Sequence, residues 1–199
     1  MNDPQRLALF GTSADPPTLA HAQIIRWLAQ EDEFDQVLVW AADNPLKTGQ
    51  TPLEHRMAML ERLVQELGEP KVRLAPELSH RFTRVSVARV KEQYPQATLT
   101  LALGADLLPQ LPRWHQAEEL FPQVEVVIIP RTGYTLAPAA LDWLHQHSPR
   151  VRIAPITVPD WSSRAFREGQ CLDELSPAVQ AYIQDHGLYR EAEMPTPRR

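Results

Sequence analysis

Two short apolar runs, Leu7–Phe10 and Val37–Trp40, flank a stretch that reads as one helix, Leu19–Gln30, with Ile24, Ile25, Trp27 and Leu28 on its core side. Gly11 closes the first run, and Asp15-Pro16-Pro17 then forces an extended loop, because proline fixes φ and restricts the residue before it. Thr18 stands where a helix N-cap is needed. A strand, a helix and a strand in so short a span make a βαβ unit, which requires a parallel pair joined by a right-handed crossover.

The alternation continues. Leu53, Met57, Leu60, Val64 and Leu67 follow at spacings of 4, 3, 4 and 3, the signature of an amphipathic helix, and Gly68 ends it. Val72–Leu74 reads as a strand, Thr83–Tyr94 as a helix stopped by Pro95, and Thr98–Leu103 as a buried strand ending at Gly104. Val124–Ile129 is a further strand, Leu136–Gln146 a helix, and another strand lies within Val151–Val158. The last helix carries Ser176 as N-cap, Pro177 at its first position and Gly187 as terminator. This pattern predicts an α/β fold, doubly wound around a mostly parallel sheet, as a single domain over residues 1–190. Residues 191–199 have no apolar periodicity and are expected to be a disordered tail.

Composition removes several function classes. The chain of 199 residues has 7 glycines, and no two of them form G-x-G. A dinucleotide-binding G-x-G-x-x-G turn and a P-loop are therefore both absent. The lone Cys171 cannot form an intrachain disulfide, and one thiol is too few for a zinc site by itself. A net charge of −5 argues against non-specific nucleic-acid binding. No leader pattern opens the sequence, and no apolar run approaches the roughly 18 residues that span a bilayer. The expectation is a cytoplasmic protein without membrane or nucleic-acid partners; its oligomeric state is not readable.

Ligands of open α/β sheets bind beyond the carboxyl ends of the strands, so the residues following each strand carry the chemistry. After the first strand come Gly11, Thr12 and Ser13, then Thr18 and His21 at a helix start, where exposed amides favour an anion. After the fourth come Gly104, Ala105 and Asp106, then Trp114 and His115. Late in the chain, Ser162 and Ser163 can cap a helix that carries Arg167 one turn in. Each feature has a plainer reading as well. Thr18, Ser162, Ser163 and Asp106 could be caps only, Trp114 could be core, and Lys47 and Arg131 could be solvated surface cations.

Together these segments resemble the nucleotidyltransferases with the H-x-G-H signature, and among them nicotinate-nucleotide adenylyltransferases. The carrying segments are Gly11–His21, Gly104-Ala105-Asp106 and Trp161–Arg167, joined by Asn44-Pro45-Leu46-Lys47, Leu111–His115, Pro130–Tyr134 and Tyr182–Arg190. Thr18 stands where the signature has its first histidine, Ala20 where it has glycine, and Arg164 where threonine is usual. The family's G-P-S-Y-T segment reads Ser79-His80-Arg81-Phe82-Thr83.

The resemblance implies a Rossmann-like fold and direct transfer of AMP from ATP to nicotinate mononucleotide, with no covalent enzyme intermediate. It implies His21 at the α-phosphate, with Thr18 and Arg167 assisting. Gly11, Thr12, Ser13, Gly104, Asp106, Ser162 and Ser163 would hold ATP, with Asp106 on its ribose. Lys47, Thr83, Trp114 and Arg131 would hold the acceptor, with Trp114 stacked on the pyridine ring. Mg²⁺ would be carried by the ATP phosphates, with no metal site built by the protein. The competing readings are an adenylyltransferase for nicotinamide mononucleotide or phosphopantetheine, and a catalytically weakened nucleotide-binding sensor.

Overall fold

A computed structural model of the chain describes residues 5–43, 49–159, 161, 163–168 and 172–189. Six strands, β1 (Arg6–Thr12), β2 (Gln36–Ala41), β3 (Val72–Leu74), β4 (Thr98–Gly104), β5 (Glu125–Ile129) and β6 (Val151–Ile153), form one sheet in the order β3-β2-β1-β4-β5-β6. Every neighbouring pair is parallel. The helices are α1 (Leu19–Gln30), α2 (Leu53–Leu67), α3 (Thr83–Gln93), α4 (Ala117–Leu120), α5 (Pro138–His147), α6 (Ser163–Arg167) and α7 (Pro177–Asp185).

Consecutive strand residues feed opposite cores, which is why the runs are apolar throughout instead of alternating. Ala8, Val37, Val39 and Val127 meet Ile25 and Leu28 of α1 and Leu60 and Leu63 of α2 on one face. Leu7, Leu9, Leu38, Leu101 and Ile128 meet Val87 and Val90 of α3, with Leu108, Leu111 and Phe121, on the other. Burying each such side chain contributes about 1.5–3 kcal/mol, so the sheet and its two coats dominate the stability. The strand order reverses between β1 and β4. A crevice opens there beyond their carboxyl ends.

Helix α1 has the boundaries expected from sequence, and α5 begins two residues late because Pro138 occupies its first turn. The expected late strand is short: Val151–Ile153 pairs with β5, then Val158 alone bridges to Arg131. Between β4 and α4 the chain runs as a 3₁₀ helix, Ala105–Arg113, with Pro109 and Pro112 removing donors that an α-helix would use. Helix α2 shows the largest difference. Its apolar stripe, Leu53, Met57, Leu60, Val64 and Leu67, packs on the core, Leu60 fully buried and the other four in part, but the most buried residues are Arg56, Met59, Leu60 and Leu63. The helix is turned by roughly 70° from the stripe's direction, at 3.6 residues per turn. Arg56 lies on this most buried side, its guanidinium bonded to backbone carbonyls, together with Met59, Leu60 and Leu63.

Candidate active site

One cavity of about 570 Å³ lies at the crevice between β1 and β4. Its walls include Gly11, Thr12, Ser13 and His21 from the β1–α1 segment, and Gly104 and Asp106 from the end of β4. Thr83, Trp114, Arg131, Ser163 and Arg167 complete it. The fold thus gathers most of the sequence-predicted site residues around one space. Lys47 and Ser162 lie outside the described residues, as do Cys171 and the 191–199 tail.

Two distant segments are laced together at one end of this cavity. The Thr18 hydroxyl donates to the Trp161 carbonyl at 3.0 Å, the Ser163 hydroxyl to the Pro16 carbonyl at 2.8 Å, and the Arg167 guanidinium to the Asp15 carbonyl. Arg167 also lies 3.4 Å from the Asp15 carboxylate. The β1–α1 loop and helix α6 therefore form one wall, with His21 and Arg167 on it.

Thr18 is placed behind that wall. It is fully buried and holds His21 instead of facing the cavity. Its backbone N–H donates to His21 Nδ1 at 3.0 Å, and its hydroxyl oxygen lies 2.9 Å from the same nitrogen. A nitrogen that accepts from an amide has no proton of its own, so the neutral ring carries its proton on Nε2. His21 is then an oriented donor on the cavity wall.

At the other end, Arg131 and Asp106 form an ion pair of 3.3 Å. Sequence reading assigns these residues to different substrates; the β4–β5 register, which pairs Gly104 with Ile129, sets them beside each other. Trp114 is half-buried: it packs on the core and also lines the cavity. Phe82 stacks on His115 with centroids 4.1 Å apart, and the Phe82 N–H donates to His80 Nδ1 at 3.1 Å. Arg81, Arg113 and Arg164 also reach the rim. The cavity wall holds His21, His80, Arg81, Arg113, His115, Arg131, Arg164 and Arg167 against only two carboxylates, Asp15 and Asp106, among the described residues. A protein with a net charge of −5 thus gathers five arginines, Arg81, Arg113, Arg131, Arg164 and Arg167, around this space, which suits an anionic ligand.

Two supporting residues were not singled out from sequence. Arg56, 1% exposed, donates to the carbonyls of Ser13 and Ala42 at 2.8 and 2.7 Å and of Thr51 at 2.8 Å. It ties the loops after β1 and β2 together beneath the cavity. Burial pushes its guanidinium below the ordinary arginine range, a shift that Asp15 and Asp43 partly offset. The only sequence signal was an arginine beside the apolar stripe of α2. Tyr189 donates to Asp15 Oδ1 at 2.8 Å, a contact for which the closing motif is the only signal in the sequence.

Comparison with known proteins agrees with this geometry. Residues 9–169 match the cytidylyltransferase-like family. A Synechocystis protein named "Probable nicotinate-nucleotide adenylyltransferase" is 40% identical, the alignment covering 94% of this chain and all of that one. The chain belongs to the nicotinate-nucleotide adenylyltransferase family. A relative of the same name from Gemmatimonas aurantiaca is 31% identical over 94% of this chain and 93% of its own. The fold is that of the Plasmodium falciparum nicotinic acid mononucleotide adenylyltransferase solved with NaAD, at a TM-score of 0.77 and 20% identity, covering 93% of this chain and 97% of that one. The cavity of this family member is therefore built on the family's sheet. Among its described residues no helix is long and apolar enough to cross a membrane.

Proposed function

We propose that this chain transfers AMP from ATP to nicotinate mononucleotide, giving deamido-NAD and pyrophosphate. The observation that carries the reading is the joined wall of His21, Ser163 and Arg167 in the same cavity as Trp114, Thr83 and Arg131. A phosphate-binding end and an aromatic end face one space, as a reaction between a triphosphate and a pyridine mononucleotide requires.

A 5′-phosphate oxygen of the acceptor attacks the α-phosphorus of ATP; the bond to the β-phosphate's bridging oxygen breaks, and pyrophosphate leaves with that electron pair. No side chain needs to form a bond, so catalysis is positioning and neutralisation of charge. His21 donates from Nε2 to a non-bridging α-phosphate oxygen. Arg167 steadies the departing phosphates with charge-assisted hydrogen bonds. Thr18 acts through His21, whose ring it orients. Asp106 accepts from the adenosine ribose, Trp114 stacks on the pyridine ring, and Arg131 with Thr83 serves the acceptor side. Gly11, Thr12, Ser13 and Gly104 line the nucleotide end.

Mg²⁺ fits as a passenger on the triphosphate. The two carboxylates on the cavity wall each face an arginine, and no metal-binding group of three or more His, Cys, Asp or Glu occurs among the described residues. Bound there, the ion would neutralise charge on the β- and γ-phosphates.

An acceptor panel tests the proposal. Purified protein with ATP and Mg²⁺ should release pyrophosphate with nicotinate mononucleotide and do so more slowly with nicotinamide mononucleotide or phosphopantetheine. Release with none of the three would leave a nucleotide-binding protein without this activity.

A further inference from the structure

The most remote contact at the site joins residues 174 positions apart: the Tyr189 hydroxyl donates to Asp15 Oδ1 at 2.8 Å. Asp15 is 1% exposed, and a carboxylate so buried requires partners for its charge. Its Oδ1 is taken by Tyr189. Its Oδ2 makes no hydrogen bond and has Arg167 at ion-pair distance, 3.4 Å. Arg167 in turn donates to the Asp15 carbonyl, so one residue of the β1–α1 loop holds the arginine through two oxygens.

Tyr189 is itself locked. It follows α7 in the left-handed region at φ 56°, Leu188 N–H donates to the Ile183 carbonyl at 3.0 Å, and the Tyr189 ring stands edge-on to Phe166 of α6 at 5.6 Å. The tyrosine therefore touches both sides of the joined wall: α6 through Phe166, and the loop through Asp15.

We propose that Tyr189 is a positioning residue for the nucleotide end of the site, holding the Asp15 carboxylate so that Arg167 presents its guanidinium to the cavity. With Oδ1 occupied by the phenol, only Oδ2 is left to draw on Arg167. Without the hydroxyl the whole carboxylate turns to the arginine and pulls it back from the phosphates. The proposal rests on the reading that the cavity takes ATP by its phosphates.

Binding of a non-hydrolysable ATP analogue, followed by calorimetry, tests it beside steady-state kinetics. Tyr189→Phe should weaken the analogue and lower kcat/KM for ATP by about tenfold, the scale of a small misplacement of a binding group, with acceptor KM within about twofold of wild type. In an Arg167→Gln background the same change should have no effect on analogue binding. Leu188→Ala destabilises the same segment without touching Asp15, and should lower Tm while leaving analogue binding unchanged.

Unchanged analogue binding in Tyr189→Phe, an equal loss in Leu188→Ala, or a full penalty in the Arg167→Gln background each overturns the proposal. If Tyr189→Phe does not fold, Asp15→Asn carries the test in the opposite sense: with no charge to draw Arg167 back, analogue binding should not fall below wild type, and a loss of about tenfold would overturn the proposal. Failure of wild type to bind the analogue would instead strike the nucleotide reading itself.

Discussion

The backbone N–H of Thr18 donates to His21 Nδ1 at 3.0 Å, so the helix cap also sets the tautomer of the ring on the cavity wall. The ring proton of a neutral His21 is thereby kept on Nε2, and a threonine suffices to hold the ring. His21→Ala should lower kcat by about 10²–10³, the range for loss of one preorganised donor to a developing anion. Binding of an ATP analogue should change far less. Comparable losses in turnover and in analogue binding would contradict a role confined to the transition state.

Thr18→Val keeps the shape of the cap and the backbone donor but removes the hydroxyl bonded to the Trp161 carbonyl. The expected cost is about 0.5–1.5 kcal/mol of stability, the net value of one hydrogen bond, measured by urea denaturation. Turnover should fall modestly, since the Nδ1 acceptor bond survives.

Arg56 is a buried cation whose neutral replacement leaves carbonyls of three residues without their donor. Arg56→Met should destabilise by about 3 kcal/mol or more. For a chain of this size that is a Tm lower by about 6–12 °C, read by differential scanning calorimetry.

Gly11 and Gly104 separate stability from activity. A methyl at Gly11 would lie 2.6 Å from the Trp40 ring, which is 1% exposed and cannot retreat. Gly11→Ala should therefore cost about 1–3 kcal/mol as overpacking. At Gly104 the methyl would lie 2.4 Å from Asp106 Oδ1, at the end of a side chain 28% exposed and able to swing out. Gly104→Ala should keep its Tm but break the pair with Arg131 and lower kcat/KM for ATP.

Burial pushes the Tyr189 phenol well above its ordinary value near 10. The folded state thus favours the neutral form more than the unfolded chain does. That contribution is complete below pH ~10 and is lost as pH rises beyond it. Comparing Tm between pH 8 and 11, wild type should fall more steeply than Tyr189→Phe; equal slopes would refute this.

Much of this architecture was legible because it is local. The cap at Thr18, the stop at Gly68 and the unbroken apolar runs specify α1, the end of α2 and the strands without reference to the rest of the chain. The site was legible as a set of segments, since each follows a strand end. What could not be read is how those segments touch. The pairing of Asp106 with Arg131 depends on the register of β4 against β5, which periodicity does not encode. Arg56 finds partners 5, 14 and 43 residues away and Tyr189 one 174 residues away, and neither carries a local signal of burial. The deep burial of Met59 and Leu63 beside Leu60 likewise depends on how α2 docks on the sheet, which the stripe alone does not specify.

Asp15 and Tyr189 stand near opposite ends of the chain, and this bears on synthesis. All six strands are complete by residue 153, but the core on the α1 and α2 side still lacks Val158, Phe166, Leu175 and Val179, which come last from the ribosome. The loop after β1 waits for its last partner until residue 189 has emerged. Partial products therefore carry a complete sheet with one coat unfinished and the loop at Asp15 still without its tyrosine.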